Sequence, residues 1–130
     1  MSVCEKVIVD TNVLIDCMRG LDEAVAFIRA IKTRMILSAM TIAELYAGIK
    51  GAEEEHAIEA LLSLRPIVPV TADIAKAAGL LKREFGKSHG VGIADAILAA
   101  TALAENARLA TLNVKHYPMM HGLKPAYVKK

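Results

Sequence analysis

Four oxygen-bearing residues stand far apart in the chain at places where one site could be assembled from them. They are Asp10 in "VIVDTNVLID", Glu44 in "TIAELYAGI", Asp95 in "GIADAILAA" and Asn113 in "LATLNVKHY". Carboxylate and amide oxygens without thiolates suit a hard cation, Mg²⁺ or Mn²⁺. A cation held by a few carboxylates shares its remaining positions with phosphate oxygens, lowers the pKa of a bound water and stabilises charge on the attacked phosphate. The chemistry such a cluster implies is phosphodiester hydrolysis. Zinc is not supported: His56 lies in the run "EEEH", and none of the four histidines has HExxH spacing.

Each residue also has a purely local reading. Asp10, Thr11 and Asn12 are good helix N-caps and would mark a strand-to-helix junction. Thr41-x-x-Glu44 fits a capping box, with Glu44 reaching back to the Thr41 amide. Asn113 is a common turn residue. Asp95 would be a first-turn acid favoured by the helix dipole, worth ~0.3–1 kcal/mol. It is the most informative of the four, because the following "AILAATALA" (Ala96 to Ala104) has no charge at all. A helix apolar all round is buried over most of its surface, and a buried carboxylate costs more than a dipole returns unless it is paired or bound to a cation. Three acids at one end of a sheet are a poor match to three independent caps, and Asn113, after the last strand, can reach the same end.

The elements that must position these residues alternate. Apolar runs at Val7–Val9, Arg34–Ser38, Ile67–Val70 and Arg108–Leu112 read as strands. Helical spacing covers Asn12–Met18, Asp22–Ile31, Thr41–Ile49, Glu54–Leu64, a helix capped by Thr71 that stops at Gly86, and Ile93–Asn106. The tail is a further candidate edge strand. Strands separated by helices, without hairpin signals, predict a parallel sheet of four or five strands covered on both faces. In open α/β sheets, ligands lie beyond the carboxyl ends of the strands, where Asp10 stands.

The 130 residues suffice for one domain, 1–130, which buries roughly two-thirds of its unfolded surface without disulfide or structural metal. Hydrophobic residues make up 55% and Trp is absent, so the core is aliphatic and the surplus points to an extra buried surface such as a homodimer contact. The formal charge of +2 does not by itself imply nucleic acid. After Glu105, however, there is no acid, while Arg108, Lys115, His116, His121, Lys124, Lys129 and Lys130 accumulate, which suits a polyanionic partner as well as a solvated end. Cys4 and Cys17 lack CxxC spacing and read as reduced thiols. Neither a signal peptide nor an apolar run of ~18 residues is present, so a soluble, cytoplasmic protein is expected. "GKS" at Gly86–Ser88 is no P-loop, since Leu81 holds the position of its first glycine and the stretch follows a helix instead of a strand; GxGxxG is absent.

"VIVDTNVLID", "SAMTIAELYAGI" and "GIADAILAATALAENARLATLNVKHY" together resemble PIN-domain nucleases, specifically VapC-type toxins of toxin–antitoxin pairs. The resemblance spans nearly the whole chain. It implies a three-layer α/β/α fold around a central parallel sheet, Mg²⁺- or Mn²⁺-dependent endoribonuclease activity on an RNA substrate, and inhibition by a cognate VapB-type antitoxin. It carries the family's acids over to Asp10, Glu44 and Asp95. The final acidic position falls on Asn113, a weaker ligand, which puts a firmly held second metal in question. Thr11 and Asn12 match the polar residues after the family's first acid, and Thr111 matches a site-lining hydroxyl. The rival reading is a non-catalytic PIN-like module that binds RNA or protein, against which the intact acids argue.

Overall fold

A computed structural model describes residues 5–63 and 65–129. Strand β1 (Val7–Val9) lies at the middle of a four-stranded sheet in the order β3-β2-β1-β4, with β2 at Met35–Ser38, β3 at Ile67–Val68 and β4 at Arg108–Ala110. All pairings are parallel; Ile8 stands opposite Ile36 on one side and Leu109 on the other. The described residues also form six α-helices: α1 (Thr11–Met18), α2 (Asp22–Ile31), α3 (Ala39–Gly48), α4 (Ala52–Leu62), α5 (Ala72–His89) and α6 (Ile93–Ala104).

The strands are apolar on both faces, and alternation assigns each residue to a layer. Val7, Val9 and Leu37 pack with Val13 and Leu14 of α1, Ile28 and Ile31 of α2, Leu45 of α3 and Ile58 of α4. Ile8, Ile36 and Leu109 face the opposite way, onto Leu98, Ala99 and Ala102 of α6, and α5 packs in turn on α6. The result is the expected α/β/α sandwich. Helix α6 is buried from Ala96 to Ala102, as its lack of charge requires.

Several boundaries differ from the sequence reading, for physical reasons. Helix α5 runs through Gly86 to His89, since one interior glycine costs only ~1 kcal/mol. It ends at Gly90, whose φ of 64° lets its amide return to the Gly86 carbonyl. Strand β3 stops at Val68 because Pro69 has no N–H to continue the ladder. Helix α3 starts earlier than expected: Ser38 is the N-cap, accepting from the Met40 amide at 3.1 Å, and Thr41 is buried inside the helix. The capping box at Thr41 therefore does not form.

The tail adds no strand among the described residues. Just past β4, the Ala126 amide donates to the Thr111 carbonyl at 3.0 Å, and Leu123, Ala126 and Tyr127 pack against the core. The tail is also tied to Asp16 of α1, which accepts from the Tyr127 hydroxyl at 2.7 Å and pairs with Lys129 at 3.1 Å. Arg108 similarly faces Glu5 at 3.7 Å, so part of the basic charge is used within the chain. Cys17 is half-buried, and burial pushes its thiol pKa up. Cys4, Leu64 and Lys130 lie outside the described residues. No helix among the described residues is long and apolar enough to cross a membrane.

Candidate active site

The site is built from the carboxyl end of β1. Asp10 follows Val9 in extended conformation, and its own amide bonds to the Ala110 carbonyl of β4 at 2.9 Å. It thus sits between strand and helix, capping α1 through Oδ1, which accepts from the Thr11 amide at 2.7 Å. The local and the chemical readings of this residue are compatible in one conformation. The other oxygen, Oδ2, accepts from Thr111 Oγ1 at 2.7 Å and from the Tyr117 hydroxyl at 3.0 Å.

Asp10 is 7% exposed. Burial raises its pKa above 3.8, and the nearby Asp95 charge adds to the rise; the hydrogen bonds from Thr111, Thr11 and Tyr117 only partly offset it. Desolvation therefore wins over three donors, and the ionised carboxylate is held here at a cost.

Asp95 lies in the first turn of α6, with a side chain 29% exposed. Its Oδ1 accepts from the same Tyr117 hydroxyl at 3.1 Å, and its Oδ2 stands 3.4 Å from His116 Nδ1. Two acids 85 positions apart thus meet at one phenol. Tyr117 itself is 1% exposed, and burial together with both carboxylates pushes its hydroxyl well above the ordinary phenol range, so it stays protonated.

Glu44 is on α3 and exposed. It joins indirectly: its Oε1 accepts from Thr11 Oγ1 at 2.6 Å, which ties it to the residue beside Asp10. Asn12 Oδ1 is buried without a hydrogen-bond partner among the described residues. Asn113 is exposed; its backbone amide donates to Thr111 Oγ1 at 3.1 Å, while its side chain makes no hydrogen bond among the described residues. The structure thus brings Asp10, Asp95 and Thr111 together, tethers Glu44 through Thr11, and leaves the Asn113 side chain at the rim.

Sequence reasoning missed Tyr117 and gave His116 only a charge. The available signal was a phenol placed just after the last strand in an otherwise aliphatic core, since a buried Tyr hydroxyl needs a partner.

Among the described residues, no group of three or more His, Cys, Asp or Glu is arranged to enclose a metal ion. The donor set is compatible with Mg²⁺ or Mn²⁺, since two carboxylates meet at one hydroxyl. Mg²⁺ dehydrates reluctantly and is commonly held by one or two carboxylates plus waters and substrate phosphates.

Comparison with known proteins gives a consistent result. Residues 7–117 match the PIN domain family. A protein named Ribonuclease VapC10, from Mycobacterium tuberculosis, is 36% identical over 124 residues, spanning 93% of this chain and 92% of that protein. Ribonuclease VapC19 of the same organism is 35% identical, over 92% of this chain and 98% of its own. Among solved structures, a toxin–antitoxin complex from Klebsiella pneumoniae superposes with a TM-score of 0.80 at 30% identity, covering 94% of this chain and 98% of that one. FitAcB from Neisseria gonorrhoeae gives a TM-score of 0.70 at 28% identity, over 85% and 90% of the two chains.

Proposed function

This chain belongs to the PIN domain family, and on that premise we propose that it is a Mg²⁺- or Mn²⁺-dependent endoribonuclease, the toxin of a VapBC-type toxin–antitoxin pair. The observation that carries the reading is the meeting of Asp10 and Asp95 at the carboxyl end of β1, with Glu44 tethered beside them. The names of the relatives, ribonucleases among the sequences and a toxin–antitoxin complex among the structures, support the substrate class and the partner.

In this reading Asp10, Asp95 and Glu44 hold the cation, with Asn113 a weaker contributor from the rim. Bound metal supplies a water of lowered pKa and positive charge for the phosphate oxygens. The chain's own residues do the rest. Thr11, Thr111 and Tyr117 fix both oxygens of Asp10 and keep a costly buried charge in place. Asn12, two residues after Asp10, has a side-chain oxygen buried without a hydrogen-bond partner among the described residues. Glu44, exposed and tethered through Oε1 to Thr11, would offer Oε2 to the cation.

The chain acts as one cytoplasmic domain that pairs with itself and is held inactive by its antitoxin. Leu80, Ile93 and Leu103 leave large apolar side chains exposed on α5 and α6, in support of a self-complementary contact. The decisive experiment is cleavage of RNA with Mg²⁺ or Mn²⁺ and with EDTA. Activity is expected with metal, absent in EDTA and suppressed by the co-expressed antitoxin. Cleavage that persists in EDTA would remove the metal from the reaction.

A further inference from the structure

Tyr117 occupies an unusual position for a core aromatic. Its ring is packed among Ile8, Ile36, Leu98 and Leu109, so its hydroxyl oxygen is a fixed point of the fold. Both carboxylates come to that point, Asp10 Oδ2 at 3.0 Å and Asp95 Oδ1 at 3.1 Å. A hydroxyl has one proton to donate, so it serves one acid at a time while standing beside both. Thr111 reaches only Asp10, and His116 only Asp95. Tyr117 is therefore the side chain that relates the two carboxylates to each other.

That relation bears on which cation the pair accepts. Mg²⁺ demands near-octahedral oxygens at ~2.0–2.1 Å, and Ca²⁺ tolerates longer and looser arrangements at ~2.3–2.6 Å. We propose that Tyr117 is a positioning residue that fixes the spacing of Asp10 and Asp95 and so favours a small divalent cation over a large one. The proposal rests on the metal-dependent reading of the site and adds to it a determinant of cation choice.

The test is a comparison of Mn²⁺ and Ca²⁺ affinities, by titration calorimetry on the metal-stripped full chain, for wild type, Tyr117→Phe and Thr111→Val. Tyr117→Phe keeps the ring and removes the bridging hydroxyl. Its Mn²⁺ affinity is expected to fall about tenfold, the usual cost of losing a group that orients a metal ligand. Its Ca²⁺ affinity should change by less than about threefold, because the looser ion tolerates the released carboxylates. Thr111→Val removes the hydrogen bonds to Asp10 and from the Asn113 amide, leaves the Tyr117 contacts with both acids in place, and should weaken both ions together. An unchanged Mn²⁺/Ca²⁺ ratio in Tyr117→Phe would overturn the proposal, and so would an equal shift of that ratio in Thr111→Val.

A measurement on the wild-type protein separates this proposal from its premise. The chain has three tyrosines and no Trp, so Tb³⁺ bound at the acids should show tyrosine-sensitised emission that is lost in Asp95→Asn. Absence of that emission, or its persistence in Asp95→Asn, removes the cation from the acids and takes both readings with it. Emission that behaves as expected, with an unchanged ion ratio in Tyr117→Phe, leaves the metal site standing and removes only the role of Tyr117.

Discussion

Replacing Asp95 by Asn removes one charge and keeps the shape of the side chain. An Asn there can still accept from Tyr117 and donate to the His116 ring nitrogen, so little packing or hydrogen bonding is lost. What changes is the repulsion on the buried Asp10. Two unit charges ~6 Å apart at an effective dielectric near 20 repel by about 3 kcal/mol. Because Asp95 is 29% exposed, solvent screening reduces this to about 1–2 kcal/mol. Against it stands the loss of a first-turn acid, ~0.3–1 kcal/mol. The metal-free variant should therefore be as stable as wild type or up to about 1.7 kcal/mol more stable, while losing RNA cleavage. The assay is urea unfolding in EDTA beside RNA cleavage with Mg²⁺, on the same preparations. An unchanged m-value would show that the comparison concerns stability and not the compactness of either state. A variant more than ~1 kcal/mol less stable that still cleaves would refute the reasoning, since Asp95 would then be a structural acid.

Three further substitutions probe Asp10 and helix α3. Burial holds the Asp10 pKa above 3.8 in the folded protein, so the native state keeps this proton to higher pH than the unfolded chain does. Its contribution to stability is then greatest below about pH 4 and is lost as pH rises through the folded value. Asp10→Asn should flatten that part of the stability profile in EDTA, and an identical profile would show that burial is not acting on this carboxyl. At α3, Ser38→Ala should cost ~0.5–2 kcal/mol through loss of the N-cap. Glu44→Gln should leave stability near wild type yet lower cleavage, whereas a stability loss as large as that of Ser38→Ala would restore a capping role for Glu44.

How far the site could be read in advance depends on what kind of signal each residue leaves. Asp95 was legible because "AILAATALA" forces the helix into the core, and a charge at the edge of such a helix needs a reason. Asp10 was legible because it interrupts an apolar run at the end of a central strand. The α/β/α layering followed from the alternation of strands and helices, which is a pattern of the whole chain. Boundaries were less legible, because they turn on single residues in competition. Thr41 and Ser38 are both good caps, and the register of β2 decided for Ser38 by ending the strand there. Gly86 and Gly90 could both stop α5, and only the second adopts a left-handed backbone.

Tyr117 was hidden for a different reason. Nothing in "VKHY" states that a phenol will lie beneath β1 and α6; its role is created by tertiary packing that brings residues 10, 95 and 117 to one point. Acids announce themselves by being expensive to bury, so they can be found one at a time. A neutral hydroxyl that relates two acids is cheap to place and gains its meaning from its neighbours. It is visible only once the fold has made them neighbours.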